Sequence, residues 1–151
     1  MLEITSKENQ YVKQAASLKQ KKFRDETGLF LVEGERSCRE AIDGKAEVLY
    51  AFATSRGLEA MPELGGQYFP CYLVPDRVMN AMADTKTPQG TLLVARQEFA
   101  SLRDVTEDGG LVVLLDHISD PGNVGAILRT AWAAGAAGVI VLPGSADLYS
   151  P

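Results

Sequence analysis

The residues best suited to chemistry lie together in the run Asp116-His-Ile-Ser-Asp120-Pro-Gly-Asn123-Val-Gly125-Ala-Ile-Leu-Arg129-Thr-Ala131. Asn123 offers an amide and Gly125 a bare backbone, both where the free N–H groups of a helix N-terminus can face an anion. Arg129 follows Gly125 by about one helical turn, which sets its guanidinium on the same flank and within reach of the same mouth. An amide, a glycine and an arginine converging on one spot suit a phosphate-bearing substrate held by charge-assisted hydrogen bonds. The same residue types also serve a plain helix start, with Asn123 as N-cap, Gly125 for tight packing and Arg129 on the surface. The run lacks the Gly-x-Gly-x-x-Gly pattern, and Asp116 comes too early to be a ribose-binding acid, so a dinucleotide is disfavoured. His117 is read as structural, and Trp132, on the Gly125/Arg129 flank, as core or interface packing.

Those residues need a strand and a helix to position them. Leu111-Val-Val-Leu-Leu115 is the kind of apolar run buried on both faces of a parallel sheet, and it delivers Asp116 to the C-terminal end, where open α/β sheets bind ligands. A helix from about Val124 to Ala134 and a strand over Gly138–Leu142 complete one βαβ unit. Upstream, alternating helices and strands define a separate α/β unit. An amphipathic helix is expected over 6–22 behind Ser6, ending at the turn Arg24-Asp-Glu-Thr-Gly28, and a strand over Leu29–Val32. Then come a helix over Ser37–Ile42, a strand over Val48–Ala53, a Pro/Gly-rich loop over Met61–Gly66 and a strand around Tyr68–Val74. A helix over Pro75–Ala83, turn chemistry in Asp84–Gly90 and a strand over Thr91–Ala95 finish the unit. The expected domains are 1–97, a polar linker 98–110 with at most one helical turn, and 111–151.

Formal net charge is −5, but it is unevenly spread. Lys7, Lys13, Lys19, Lys21, Lys22 and Arg24 face only Glu3 and Glu8 within the first 24 residues, a local excess of +4, against −9 for the remainder. Screening cuts charges off beyond about 10 Å, so a local basic patch can neutralise phosphates whatever the far side carries. A solvated lysine-rich helix face has the same composition. Cys38 and Cys71 have no CxxC spacing and one histidine accompanies them in the chain, which fits buried reduced thiols and no metal site. With no long apolar span and no leader-like N-terminus, the expectation is a cytoplasmic protein without a membrane partner.

The run Asp-Pro-Gly-Asn-Val-Gly-Ala-Ile-Leu-Arg-Thr-Ala resembles the first signature of the SpoU/TrmH (SPOUT) family of RNA ribose 2'-O-methyltransferases. Lys21-Lys-Phe-Arg24, Leu29-Phe-Leu-Val-Glu-Gly34 and Thr87-Pro-Gln-Gly90 resemble that family's substrate-binding domain, related to the L30e/L7Ae ribosomal-protein fold. The resemblance implies an α/β chain with an L30e-like RNA-binding domain followed by the first βαβ unit of an α/β-knot methyltransferase domain, the knot itself being absent. It implies Arg129 and Asn123 as catalytic residues, and Lys21, Lys22, Arg24, Glu33, Arg36 and Gly125 as RNA-binding ones. The family pattern places no catalytic histidine at His117. The implied reaction moves a methyl group from S-adenosylmethionine, bound by the missing C-terminal part, to the 2'-hydroxyl of RNA, most simply ribosomal RNA, in a homodimer. As a 151-residue fragment the chain is expected to be inactive alone. Two other classes fit the residues: an RNA-binding module without catalysis, and a small nucleotide-binding α/β protein.

Overall fold

Residues Met1–Pro151 are all described in a computed structural model of the chain. They divide into two compact units, Met1–Gln97 and Glu98–Ser150.

In the first unit the β-branched and aromatic runs become a mixed sheet. Its strands are β1 (Leu2–Glu3), β2 (Leu29–Glu33), β3 (Val48–Ala53), β4 (Cys71–Leu73) and β5 (Thr91–Arg96), in the order β1-β4-β3-β5-β2. β5 runs antiparallel to both its neighbours, β3 and β2, while β4 pairs parallel with β3 on one side and with β1 on the other. Side-chain alternation in β5 decides the layering. Leu92 and Val94 join Val12, Ala15, Val78, Met79 and Met82 on one face, under α1 (Gln10–Ser17) and α5 (Asp76–Met82). Leu93 and Ala95 join Cys38, Met61 and Leu64 on the other, under α3 (Glu35–Asp43), α4 (Ser55–Ala60) and a 3-10 turn over Pro62–Gly66. Both cysteines are buried and unpaired, and burial pushes the Cys38 thiol up to about 12, so it stays protonated.

The single helix expected over 6–22 is two. Asn9, not Ser6, caps α1 through its side-chain oxygen, and α1 stops at Leu18 because Gln20 adopts extended geometry (φ −96°, ψ 130°) before α2 (Lys21–Thr27) begins. Arg24 makes that break possible. Its side chain is buried, 3% exposed, and Nη1 donates to the Leu18 and Lys19 carbonyl oxygens at 2.7 and 2.9 Å, satisfying groups a helix end leaves without partners. Arg24-Asp-Glu-Thr-Gly28 is therefore helix rather than turn, closed by Gly28 in the left-handed conformation (φ 66°). Arg24→Ala is expected to lower the unfolding free energy by about 2 kcal/mol, the value of buried charge-assisted bonds, with RNA affinity unchanged; a melt beside a binding isotherm checks both. The strand expected over 68–74 is confined to Cys71–Leu73, and the expected loop over 61–66 is the 3-10 turn, preceded by α4, which Thr54 caps.

The second unit holds α6 (Leu102–Thr106), β6 (Val112–Leu115), α7 (Pro121–Ala133) and β7 (Gly138–Val141), with β6 and β7 parallel and paired from Val112↔Gly138 to Leu115↔Val141. Residues 98–110, expected as a linker, contain α6. It is closed at its start by a reciprocal Ser101/Asp104 capping box, whose hydroxyl and backbone N–H hold the Asp104 carboxyl below its usual range. No helix is long and apolar enough to cross a membrane.

Candidate functional site

Parallel pairing brings the C-terminal ends of β6 and β7 side by side, and the two loops that leave them are tied together. Ser145 Oγ accepts from Ile118 N–H (3.1 Å) and donates to the Leu115 carbonyl (3.4 Å), while Ala146 N–H donates to the Ile118 carbonyl (2.8 Å). Asp116 and His117 sit on the first loop; His117 has φ 55°, and its Nδ1 lies 2.5 Å from Asp116 Oδ1.

That loop feeds α7, and its cap decides how the signature residues are presented. Asp120, with Pro121 as the first helical residue, accepts from Asn123 N–H through Oδ1 at 2.7 Å. The helix thus starts three residues earlier than expected, and the capping role open to Asn123 belongs to Asp120. Asn123 is exposed with its side-chain amide uncommitted. Val124 and Ala131 are buried against the sheet, which turns Gly125 and Arg129 toward the opposite flank. Arg129 is exposed and folds back along the helix: a Cβ built on Gly125 would stand 3.4 Å from Arg129 Nη1. No carboxylate of the chain pairs with this guanidinium, so its charge and its donors remain available. Trp132 is 87% exposed and so lies outside the core, because the buried stripe is already filled by Val124 and Ala131.

In the first unit the residues predicted to meet RNA separate. Lys21 and Lys22 are exposed on α2 and pair with Asp25 and Glu26 one turn on, at 2.8 and 3.9 Å. Such exposed i,i+4 pairs contribute a few tenths of a kcal/mol and open readily for a phosphate. Arg24 is withdrawn into the core as described. Beyond β2, Arg36 is exposed beside Glu40 (2.9 Å). The Glu33 carboxylate is engaged with the 84–90 loop: it accepts from Asp84 N–H at 2.8 Å, from Thr85 N–H at 3.3 Å and from the Thr85 hydroxyl. Gln89 reaches back to accept from Glu35 N–H at 2.9 Å, and Arg56 donates to the Pro88 carbonyl at 2.6 Å. Sequence reasoning did not find this clamp or the Ser145 clasp, since both join segments far apart in the chain. Lys86, on the clamped loop, is exposed and carries no partner.

The chain is similar to known proteins in sequence and fold. Residues 9–93 match a family described as the MRM3-like substrate binding domain, and residues 110–151 match the SpoU rRNA Methylase family. The chain is 34% identical to the Bacillus subtilis 23S rRNA (guanosine(2553)-2'-O)-methyltransferase RlmP over 99% of its own length and 58% of the relative's. It is 27% identical to the mitochondrial rRNA methyltransferase 3A of Danio rerio, covering 95% of this chain and 34% of that one. The AdoMet-bound rRNA methyltransferase of Sinorhizobium meliloti superposes with a TM-score of 0.81 at 32% identity, over 98% of this chain and 57% of that one. The SpoU methyltransferase AviRb of Streptomyces viridochromogenes, in complex with AdoMet, gives 0.80 at 25% identity, over 95% and 56%. The chain thus spans a little over half the length of several of the proteins it matches.

Proposed function

We propose, for a chain that belongs to the SpoU/TrmH family of RNA methyltransferases, that it carries the RNA-binding domain and the acceptor side of a ribosomal RNA ribose 2'-O-methyltransferase. The observation that supports this most is the unpaired Arg129 guanidinium folded over Gly125 beside the uncommitted amide of Asn123.

S-adenosylmethionine supplies the methyl group in this reading. Its pocket is assigned to the part of the family's length that this chain does not match; the residues present fit the acceptor, since an open cation and a free amide suit a nucleotide's phosphate and hydroxyl. Arg129 orients the phosphate and stabilises charge gathering on the 2'-oxygen. A guanidinium keeps its proton under any conditions RNA survives, so it is not the base. Gly125 lets the backbone approach the phosphate, and Asn123 positions the ribose. Lys21, Lys22, Arg36 and the unpartnered Lys86 form the RNA contacts of the first unit, whose L30e-like fold is part of the proposal. Glu33 shapes that face through the 84–90 loop, and Arg24 holds α1 and α2 from within. A cytoplasmic homodimer completes the reading, with Trp132 and the 57%-exposed Leu114 as apolar anchors at the interface.

The test is transfer of labelled methyl from S-adenosylmethionine to ribosomal RNA by the whole protein, with the label mapped to ribose 2'-oxygens. Label on bases, or on no RNA at all from a folded protein, refutes the proposal. Lys21→Ala/Lys22→Ala is expected to weaken RNA binding about tenfold and to reduce the salt slope by roughly two, one unit per lost phosphate contact. A slope unchanged from wild type would remove α2 from the RNA face.

A further inference from the structure

His117 is strained where packing does not require it. Its φ of 55° lies in the left-handed region, which non-glycine residues adopt when the surroundings enforce it and which recurs at functional sites. Its side chain is 77% exposed, so core packing does not explain the conformation. The ring is nevertheless held on two sides. Asp116 Oδ1 lies 2.5 Å from Nδ1, and Gly144, itself at φ 93°, leaves the ring its place: a Cβ there would stand 2.7 Å from Cδ2 and 2.9 Å from Nε2. The Ser145 clasp fixes the two loops that bring these residues together.

An aspartate bonded at Nδ1 selects the tautomer with its proton on Nδ1 and leaves the Nε2 lone pair as an acceptor. His117 stands at the carboxyl ends of β6 and β7, on the loop that leads into Asn123 and Arg129, where α/β sheets hold ligands. We propose that His117 is a catalytic residue, the proton acceptor for the 2'-hydroxyl, and that Asp116 is its positioning residue; this rests on the methyl-transfer reading above. The 2'-oxygen forms its bond to the methyl carbon as the donor's carbon–sulfur bond breaks, the electron pair staying on a neutral sulfur. The hydroxyl proton passes to Nε2, the imidazolium is balanced by Asp116, and the proton leaves to solvent after product release. Arg129 stabilises the oxygen and His117 takes its proton, which gives one role to each. Asp116, on the same loop, is the charged group that holds the ring directly.

The experiment compares wild type, His117→Asn and Asp116→Asn in the whole protein, by single-turnover methyl transfer across pH and by nitrogen NMR of the ring. Asparagine tolerates positive φ, so His117→Asn keeps the loop. Expected are unchanged melting and RNA affinity, a rate about a hundredfold lower, and a pH–rate profile that differs from that of wild type. The His117 ring, identified by its loss in His117→Asn, is expected to carry its proton on Nδ1, an assignment that Asp116→Asn disturbs. A His117→Asn rate within threefold of wild type with the same pH profile, or a ring protonated on Nε2 alone, overturns the inference while leaving methyl transfer intact. A wild type that transfers methyl to no RNA overturns both readings at once.

Discussion

Arg129→Ala is expected to lower single-turnover methyl transfer about a thousandfold, the range seen when a preorganised charge donor is removed from a developing oxyanion or phosphoryl group. The geometry makes this a clean test. Arg129 is exposed and bonds to no other residue of the chain, so its removal costs the fold little, and Tm is expected to stay within a few degrees of wild type. Arg129→Lys restores the charge but not the planar fork, and a partial rescue of tenfold or less separates bidentate phosphate positioning from simple charge. Methyl transfer that survives Arg129→Ala within tenfold would move the catalytic role elsewhere. If RNA binding persists while wild type itself is inactive, the chain is a binding module.

Gly57→Ala is expected to be the most destabilising single-methyl change in the first unit. A Cβ at Gly57 would stand 2.0 Å from the Gly90 carbonyl oxygen and 2.6 Å from its carbon, and both are backbone atoms of the segment entering β5. The two backbones cannot part cheaply. Thr54 N–H donates to that same Gly90 carbonyl at 2.8 Å, and Thr54 Oγ1 accepts from Gly57 N–H at 3.1 Å. The ladder beside them, Ala53↔Thr91 onward, joins the two central strands. Relief of the clash therefore pulls on the middle of the sheet. The cost is put at about 3 kcal/mol or more, a fall in Tm of roughly 12–24 °C for a unit of this size. Gly66→Ala is the control: its Cβ would meet nothing within 4 Å, so a shift under about 0.5 kcal/mol is expected. Equal melts for the two variants would show that the close approach at Gly57 is not maintained in solution.

Five of the seven strands were legible because burial on one or both faces writes itself locally as apolar runs, whereas the exposed two-residue β1 left no such run. Val48–Ala53 was bounded as observed, and β2, β5, β6 and β7 were found within a residue or two. The α1/α2 break was not. Leu18 continues the apolar spacing across it and is itself buried, so periodicity alone carries the helix through. The residue that makes the break tolerable, Arg24, has a charge that composition counts toward an RNA surface. α4 was missed because Ser55-Arg-Gly-Leu-Glu-Ala60 carries a glycine mid-helix, and the reason for that glycine lies at Gly90, distant in sequence. At the candidate site, the shared flank of Gly125 and Arg129 was legible because helical spacing is a local property. The Asp120 cap had a signal in the Asp-Pro pair that competed with Asn123. Gly144 and Ser145 had none, since what they touch lies on another loop.

The Ser145 clasp also dictates an order of events during synthesis. Ile118 N–H donates to a residue 27 positions downstream, which at 5–20 residues per second leaves the ribosome roughly one to five seconds later. Through that interval the signature loop lacks the partner that gives it its shape, whereas the sheet of the first unit is already complete in sequence. On the proposed function, a nascent chain would thus present the unit assigned to RNA binding before the loop assigned to catalysis is set, and slow decoding between Ile118 and Ser145 would prolong a stage that holds RNA without modifying it.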